Sequence, residues 1–122
     1  MPAAYRIDPE RAIVLSRAWG TLGDADITAH YTALAADPAF DPAYRQLVDL
    51  REVTAVDLSA AHIAEIAKRA VFRPGARRAY VAPTDVAFGV ARMLEAYAES
   101  IGGDVEVFRD LPSAERWLDQ AP

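Results

Sequence analysis

The sequence predicts an α/β domain built on a mixed, mostly parallel sheet covered by helices. Three observations carry that reading. Short runs rich in β-branched and aromatic residues alternate with longer segments of helical period. The first two such runs are separated only by Asp8, Pro9, Glu10 and Arg11, a spacing that suits an antiparallel hairpin. The later runs are separated by helix-length segments, which parallel strands need for their crossovers.

Taken in order, "YRI" and "AIVLSRAWG" read as the hairpin strands, with Pro9 expected at the second position of a type I turn. "GDADITAHYTALAAD" reads as a helix. Ile27, Tyr31 and Leu34 recur on one face, Asp24 or Asp26 supplies a cap, and Pro38 helps to end it. "RQLVDL" reads as a central strand buried on both faces, with Asp49 at its end. "SAAHIAEIAKRAVF" is a second helix with an inner stripe of Ile63, Ile66, Ala67, Ala70 and Val71 and an outer Glu65–Arg69 pair. "RPG" turns the chain into the strand "ARRAYVA". "TDVAFGVARMLEAYAESIGG" is a long helix. Its expected inner stripe is Val86, Val90, Leu94, Tyr97 and Ile101, and Gly102 or Gly103 stops it. "VEVF" is the last strand, and "DLPSAERWLD" a closing helix capped by Asp110. The order is β-β-α-β-α-β-α-β-α, with a sheet of four to five strands.

The 122 residues suit one domain spanning 1–122, long enough for a real core. With 13 basic and 18 acidic residues the net charge is −5, which repels nucleic acid on average. There is no cysteine, so disulfides, thiolate chemistry and cysteine metal sites are excluded. No apolar run approaches the ~20 residues of a membrane span. The N-terminus lacks an apolar signal segment, and the expected location is cytoplasmic.

Chemistry-bearing residues are few. His30 and His62 fall on different helices without a His or Cys partner at ligand spacing, so no metal site is expected. His30 is expected to be a solvated helix residue. Asp49 and Asp57 are expected near the carboxyl ends of strands, where α/β sheets place sites; a cap and a backbone tie are the structural alternatives. Lys68, Arg69, Arg73, Arg77 and Arg78 form a basic stretch, and Arg73, Arg77 and Arg78 are its candidate anion patch. Phe88 lies off the expected inner stripe, beside Gly89 and on the face of Arg92, so Phe88, Arg92 and Met93 are the candidate ligand or partner surface. Trp19 and Trp117 are read as core or rim packing. No phosphate-cradling glycine loop, nucleophile elbow or dinucleotide fingerprint is present, and no cofactor is expected.

"LVDLREVTAVDLS" resembles the central segment of STAS domains, the fold of bacterial anti-sigma-factor antagonists. The likeness falls on Leu47, Val48, Asp49, Leu50, Val53, Thr54, Asp57 and Ser59. "AFGVARMLEAYAESIGGDVEVFRDLPSAERWL" resembles the second half of the SpoIIAA-like group, small bacterial proteins also likened to CRAL-TRIO lipid carriers. The resemblance implies a STAS-like fold and makes Ser59, after Asp57, a candidate phosphorylation site. Ala60 and Ala61 follow Ser59 where the antagonists carry glycine. If Ser59 is the helix cap its hydroxyl is engaged; if Asp57 is the cap, the hydroxyl is free. Two functions follow as expectations. The first is a non-enzymatic interaction module binding a protein partner or itself as a homodimer. The second is a carrier or sensor of a small apolar, lipid-like molecule.

Overall fold

The computed structural model describes residues 2–69, 71–100 and 102–120. Its elements are β1 (Ala3–Asp8), β2 (Ile13–Gly23), α1 (Asp24–Ala36), β3 (Arg45–Asp57), α2 (Ala60–Lys68), β4 (Arg77–Val81), α3 (Asp85–Ser100), β5 (Asp104–Phe108) and α4 (Leu111–Asp119). The five strands lie side by side in chain order. β1 is antiparallel to β2, and every later pair is parallel. The element order and the mixed sheet are those expected from the sequence.

Each strand sends alternate residues to opposite faces. On one face Ala18, Val48, Leu50, Tyr80, Val105 and Val107 meet α3, while Val14 meets Tyr31 and Leu34 of α1. On the other face Ile13, Leu47, Ala79 and Val81 meet Ala114 and Leu118 of α4 alone. α2 lies over the three-helix face and packs chiefly on α3.

Several boundaries and faces differ from the sequence reading. The hairpin turn closes with the Ala12 N–H donating to the Pro9 carbonyl, so Pro9 opens the turn rather than taking its second position. Ala12 adopts φ 53°, a left-handed conformation unusual for a residue with a Cβ. α1 starts after Gly23, not at an aspartate cap; Asp26 accepts the Gly23 N–H at 2.9 Å. β3 continues to Asp57, so Asp49 lies mid-strand. α2 ends at Lys68, which leaves Val71 beyond the helix; Ala70 of its expected stripe lies outside the described residues. Arg69 does not pair with Glu65. It donates to the Thr28 carbonyl at 3.4 Å and the Thr32 hydroxyl at 2.9 Å, tying α2 to α1.

The largest correction concerns α3. Its buried face is Ala87, Ala91 and Ala98, with Leu94 and Phe88 half-buried beside them. Val86 is 62% exposed and Tyr97 38% exposed; Ile101 lies outside the described residues. Small side chains let the helix axis approach the sheet, and Val86, Met93 and Tyr97 are turned outward. The helix ends in a Schellman arrangement. Gly102 has φ 83°, its N–H donates to the Glu99 carbonyl, and the Gly103 N–H donates to the Ala98 carbonyl at 2.7 Å. A Cβ on Gly103 would stand 3.0 Å from the Ala98 oxygen, so a side chain there needs the neighbouring turn to give by a few tenths of an ångström.

Candidate functional site

The strand period that fills the core also carries three polar residues inward. Ser16 on β2, Gln46 on β3 and Arg78 on β4 occupy neighbouring strands; Gln46 stands directly opposite Arg78 in the ladder. All three face the three-helix side. Gln46 is wholly buried, and Ser16 nearly so. Buried polar groups must find partners, since leaving one unpaired costs about 1–3 kcal/mol.

They find one another. The Arg78 Nε–H donates to Gln46 Oε1 at 3.0 Å. A guanidinium only donates, so this contact fixes which end of the Gln46 amide faces it. The Gln46 amide nitrogen then donates to Ser16 Oγ at 3.0 Å. Ser16 Oγ lies 3.0 Å from His30 Nε2, and its remaining hydrogen is free to point there. The second guanidinium nitrogen of Arg78 donates to the hydroxyls of Tyr31 at 2.9 Å and Tyr80 at 3.1 Å. Those hydroxyls are themselves 3.1 Å apart. The chain thus runs from a cation on β4 to an imidazole on α1.

His30 is therefore buried, not solvated as the sequence suggested. Burial pushes its pKa down, which favours the neutral ring as acceptor from Ser16. Burial pushes the Tyr80 hydroxyl well above its ordinary range; the Arg78 charge opposes this, and Tyr31 adds to it. Arg78 faces the rings of Phe72, Tyr31 and Tyr80 at 4.7, 5.8 and 5.9 Å. No carboxylate lies within 4.0 Å of it among the described residues.

Beside this network lies a cavity of about 70 Å³. Its floor is Ala18, Val48 and Leu50 of the sheet; its walls are Ile27, Ala91 and Leu94; its roof is Leu58, Ile63 and Ile66 on and before α2. Ser16, His30, Tyr31 and Tyr80 also line it, with their polar atoms engaged in the network. A second cavity of about 50 Å³ adjoins Arg78 and is lined also by Arg73, Phe72 and Gly103. Tyr31 and Ile66 line both.

Ser16 and His30 have the spacing of a nucleophile and a base. The rest of a hydrolytic site is missing among the described residues: no carboxylate orients His30, and Ser16 sits mid-strand between two paired neighbours, β1 and β3. The pair completes a hydrogen-bond chain.

The residues singled out from the sequence are dispersed. Ser59 is the N-cap of α2. Its Oγ accepts the His62 N–H at 3.1 Å and lies 3.3 Å from an Asp24 carboxylate oxygen. Asp57 is exposed at the end of β3 and is not the cap. Asp49 is held in a bidentate contact by Arg51, at 2.9 and 2.8 Å, which lowers its pKa. The ring of His62 reaches the Thr28 hydroxyl at 3.0 Å. The basic stretch is not one patch. Arg77 turns to the opposite face from Arg78, donating to the Trp117 and Gln120 carbonyls of the α4 end, while Arg73 stays exposed beside the smaller cavity. Phe88 packs toward the core under the Arg109 guanidinium, 4.0 Å from its centroid, so it is not the outward aromatic expected. Arg92 pairs with Glu95 at 3.1 Å, and Met93 is 39% exposed.

The inward polar chain and the cavity escaped the sequence reading. A signal was present: Gln46 and Arg78 each stand two residues before an inward apolar residue, Val48 and Tyr80, and so share its face.

No family model matches the chain, and no curated protein matches it. Among solved structures, it is similar to an uncharacterized protein of the DUF3478 family, with a SpoIIAA-like fold, from Shewanella loihica PV-4. The TM-score is 0.64 at 20% identity, covering 95% of this chain and 93% of that one. The fold of the present chain is SpoIIAA-like. Among the described residues no helix is long and apolar enough to cross a membrane.

Proposed function

We propose that the chain is a non-enzymatic binding module that encloses a small apolar molecule between its sheet and α2. The observation supporting this is the 70 Å³ cavity, whose free surface is apolar because its polar neighbours are bonded to one another. Dry apolar cavities bind apolar guests; one of ~150 Å³ accepts benzene. The present cavity is smaller, so a guest of that size requires α2 to shift. α2 is suited to do so: it is one of the two shortest helices, 9 residues long, and rests mainly on α3 rather than on the sheet.

Native mass spectrometry of freshly purified protein tests for a retained guest. Titration with the neutral fluorophore 1-aminoanthracene tests the cavity directly. Saturable binding that Leu94→Trp abolishes, with an unchanged circular dichroism spectrum, supports the reading. Absence of binding, or binding that ignores Leu94→Trp, overturns it.

A second reading, an interaction module, is favoured by a different feature. Val86, Met93 and Tyr97 leave an apolar row exposed along α3. Exposed apolar rows mark contact surfaces. Sedimentation of wild type and Met93→Asp over a range of concentrations tests it. Concentration-dependent association lost in the variant supports self-association through this row.

A further inference from the structure

We infer that the guanidinium of Arg78 is a built-in receptor for a carboxylate, so that the molecule held by this chain is an apolar monocarboxylic acid with its acid group at β4. This rests on the apolar cavity being a binding site and adds the chemical class of its occupant.

Arg78 is a cation turned inward with no counter-charge. Six ion pairs occur among the described residues, and the six arginines in them find carboxylates. Arg51, Arg45 and Arg109 are satisfied near the surface. Asp104, which also lines the smaller cavity, is directed to Arg77 at 3.9 Å. Arg78 has instead one amide oxygen, two phenol oxygens and three ring faces. The Tyr80 phenol supplies no negative charge, since burial raises its pKa well above the ordinary range. A half-buried cation without an ion partner keeps a charge that an incoming anion can pair with. Its Nη1 makes no hydrogen bond to the protein among the described residues and is not a buried orphan, so it is open to an incoming acceptor.

Position decides what would satisfy it. Arg78 borders the 50 Å³ cavity, where Arg73 adds a second positive charge. That space is divided from the apolar cavity by Tyr31 and Ile66, which line both. Ile66 belongs to α2, the roof proposed to move. Displacing it joins an apolar compartment to a cationic one. A molecule with an apolar chain and one acid group matches that pair of compartments. A neutral apolar guest would leave Arg78 as it stands.

The test compares octanoic acid with 1-octanol by isothermal titration calorimetry at pH 7.5. The two share a chain length, and only the acid carries a charge. Wild type is expected to bind the acid at least tenfold more tightly than the alcohol. Arg78→Met is expected to remove that preference while leaving 1-octanol affinity within about threefold. Gln46→Glu keeps the arginine and gives it an internal carboxylate; the preference should fall there too. This second variant guards against a folding defect in the first. Equal affinity of wild type for acid and alcohol overturns the carboxylate assignment and leaves the apolar site standing. An acid preference that survives both variants places the anion elsewhere and also overturns it. Binding of neither probe overturns this assignment and the apolar-site reading together.

Discussion

Replacing Gln46 by leucine should test whether the inward polar chain is a structural unit. Gln46 is wholly buried and bridges two neighbours. Its Oε1 accepts from Arg78 Nε, and its amide donates to Ser16 Oγ, each at 3.0 Å. Leucine is of similar volume, so little cavity arises and the loss is of hydrogen bonds. Ser16 keeps His30 as a partner and suffers modestly. Arg78 is left with a half-buried N–H unpaired on a charged group, within the ~1–3 kcal/mol cost of an orphaned donor. Added burial of apolar leucine offsets about 1 kcal/mol. The expected net loss is about 1–2 kcal/mol, or about 4–8 °C at roughly 4 °C per kcal/mol for a domain of this size. Urea unfolding followed by circular dichroism measures it. The decisive comparison is the double variant Gln46→Leu/Arg78→Met, which removes donor and acceptor together. It should be no less stable than Gln46→Leu alone, because replacing both partners by apolar groups relieves the orphan. A double variant destabilised by the sum of the single losses would refute the reasoning. It would show that packing at these positions, not polar satisfaction, sets their worth.

Ser59→Ala should lower stability by about 1 kcal/mol, the ordinary cost of a lost N-cap, read as a shift in denaturant midpoint. Gly102→Ala should cost about 1 kcal/mol in the same assay, because φ 83° admits a Cβ only with strain. His30 has a pKa below its unfolded value of 6.5, so the unfolded chain binds the extra proton first. Its contribution to stability is therefore full above pH 6.5 and is lost as pH falls from there through the lower folded value. The raised pKa of Glu106, caused first by burial and then by Glu95, acts with the opposite sign at lower pH. The His30 effect is thus read as a difference: His30→Asn should show a flatter stability–pH slope than wild type just below pH 6.5, and parallel slopes would refute the assignment.

What the sequence determined by itself was the ladder of elements. Period-two runs, period-3.6 runs, a proline turn and a glycine stop are local signals, and they sufficed for the five strands, four helices and the parallel majority of the sheet. The Asp110 cap was equally legible, because a cap bonds a residue three positions away; it accepts the Ser113 N–H at 2.8 Å. The tertiary structure alone decided which face of α3 is inward. Ranking by hydrophobicity selected Val86 and Tyr97, whereas the close approach of helix to sheet selected Ala87, Ala91 and Ala98. It also decided the site. Ser16, His30, Gln46 and Arg78 are separated by up to 62 positions, and no pair carries a local motif. Their union follows from strand register, which sets Gln46 opposite Arg78, and from α1 lying across β2. Polar residues at such positions look like surface residues until the sheet is assembled, because what buries them is contributed by other parts of the chain.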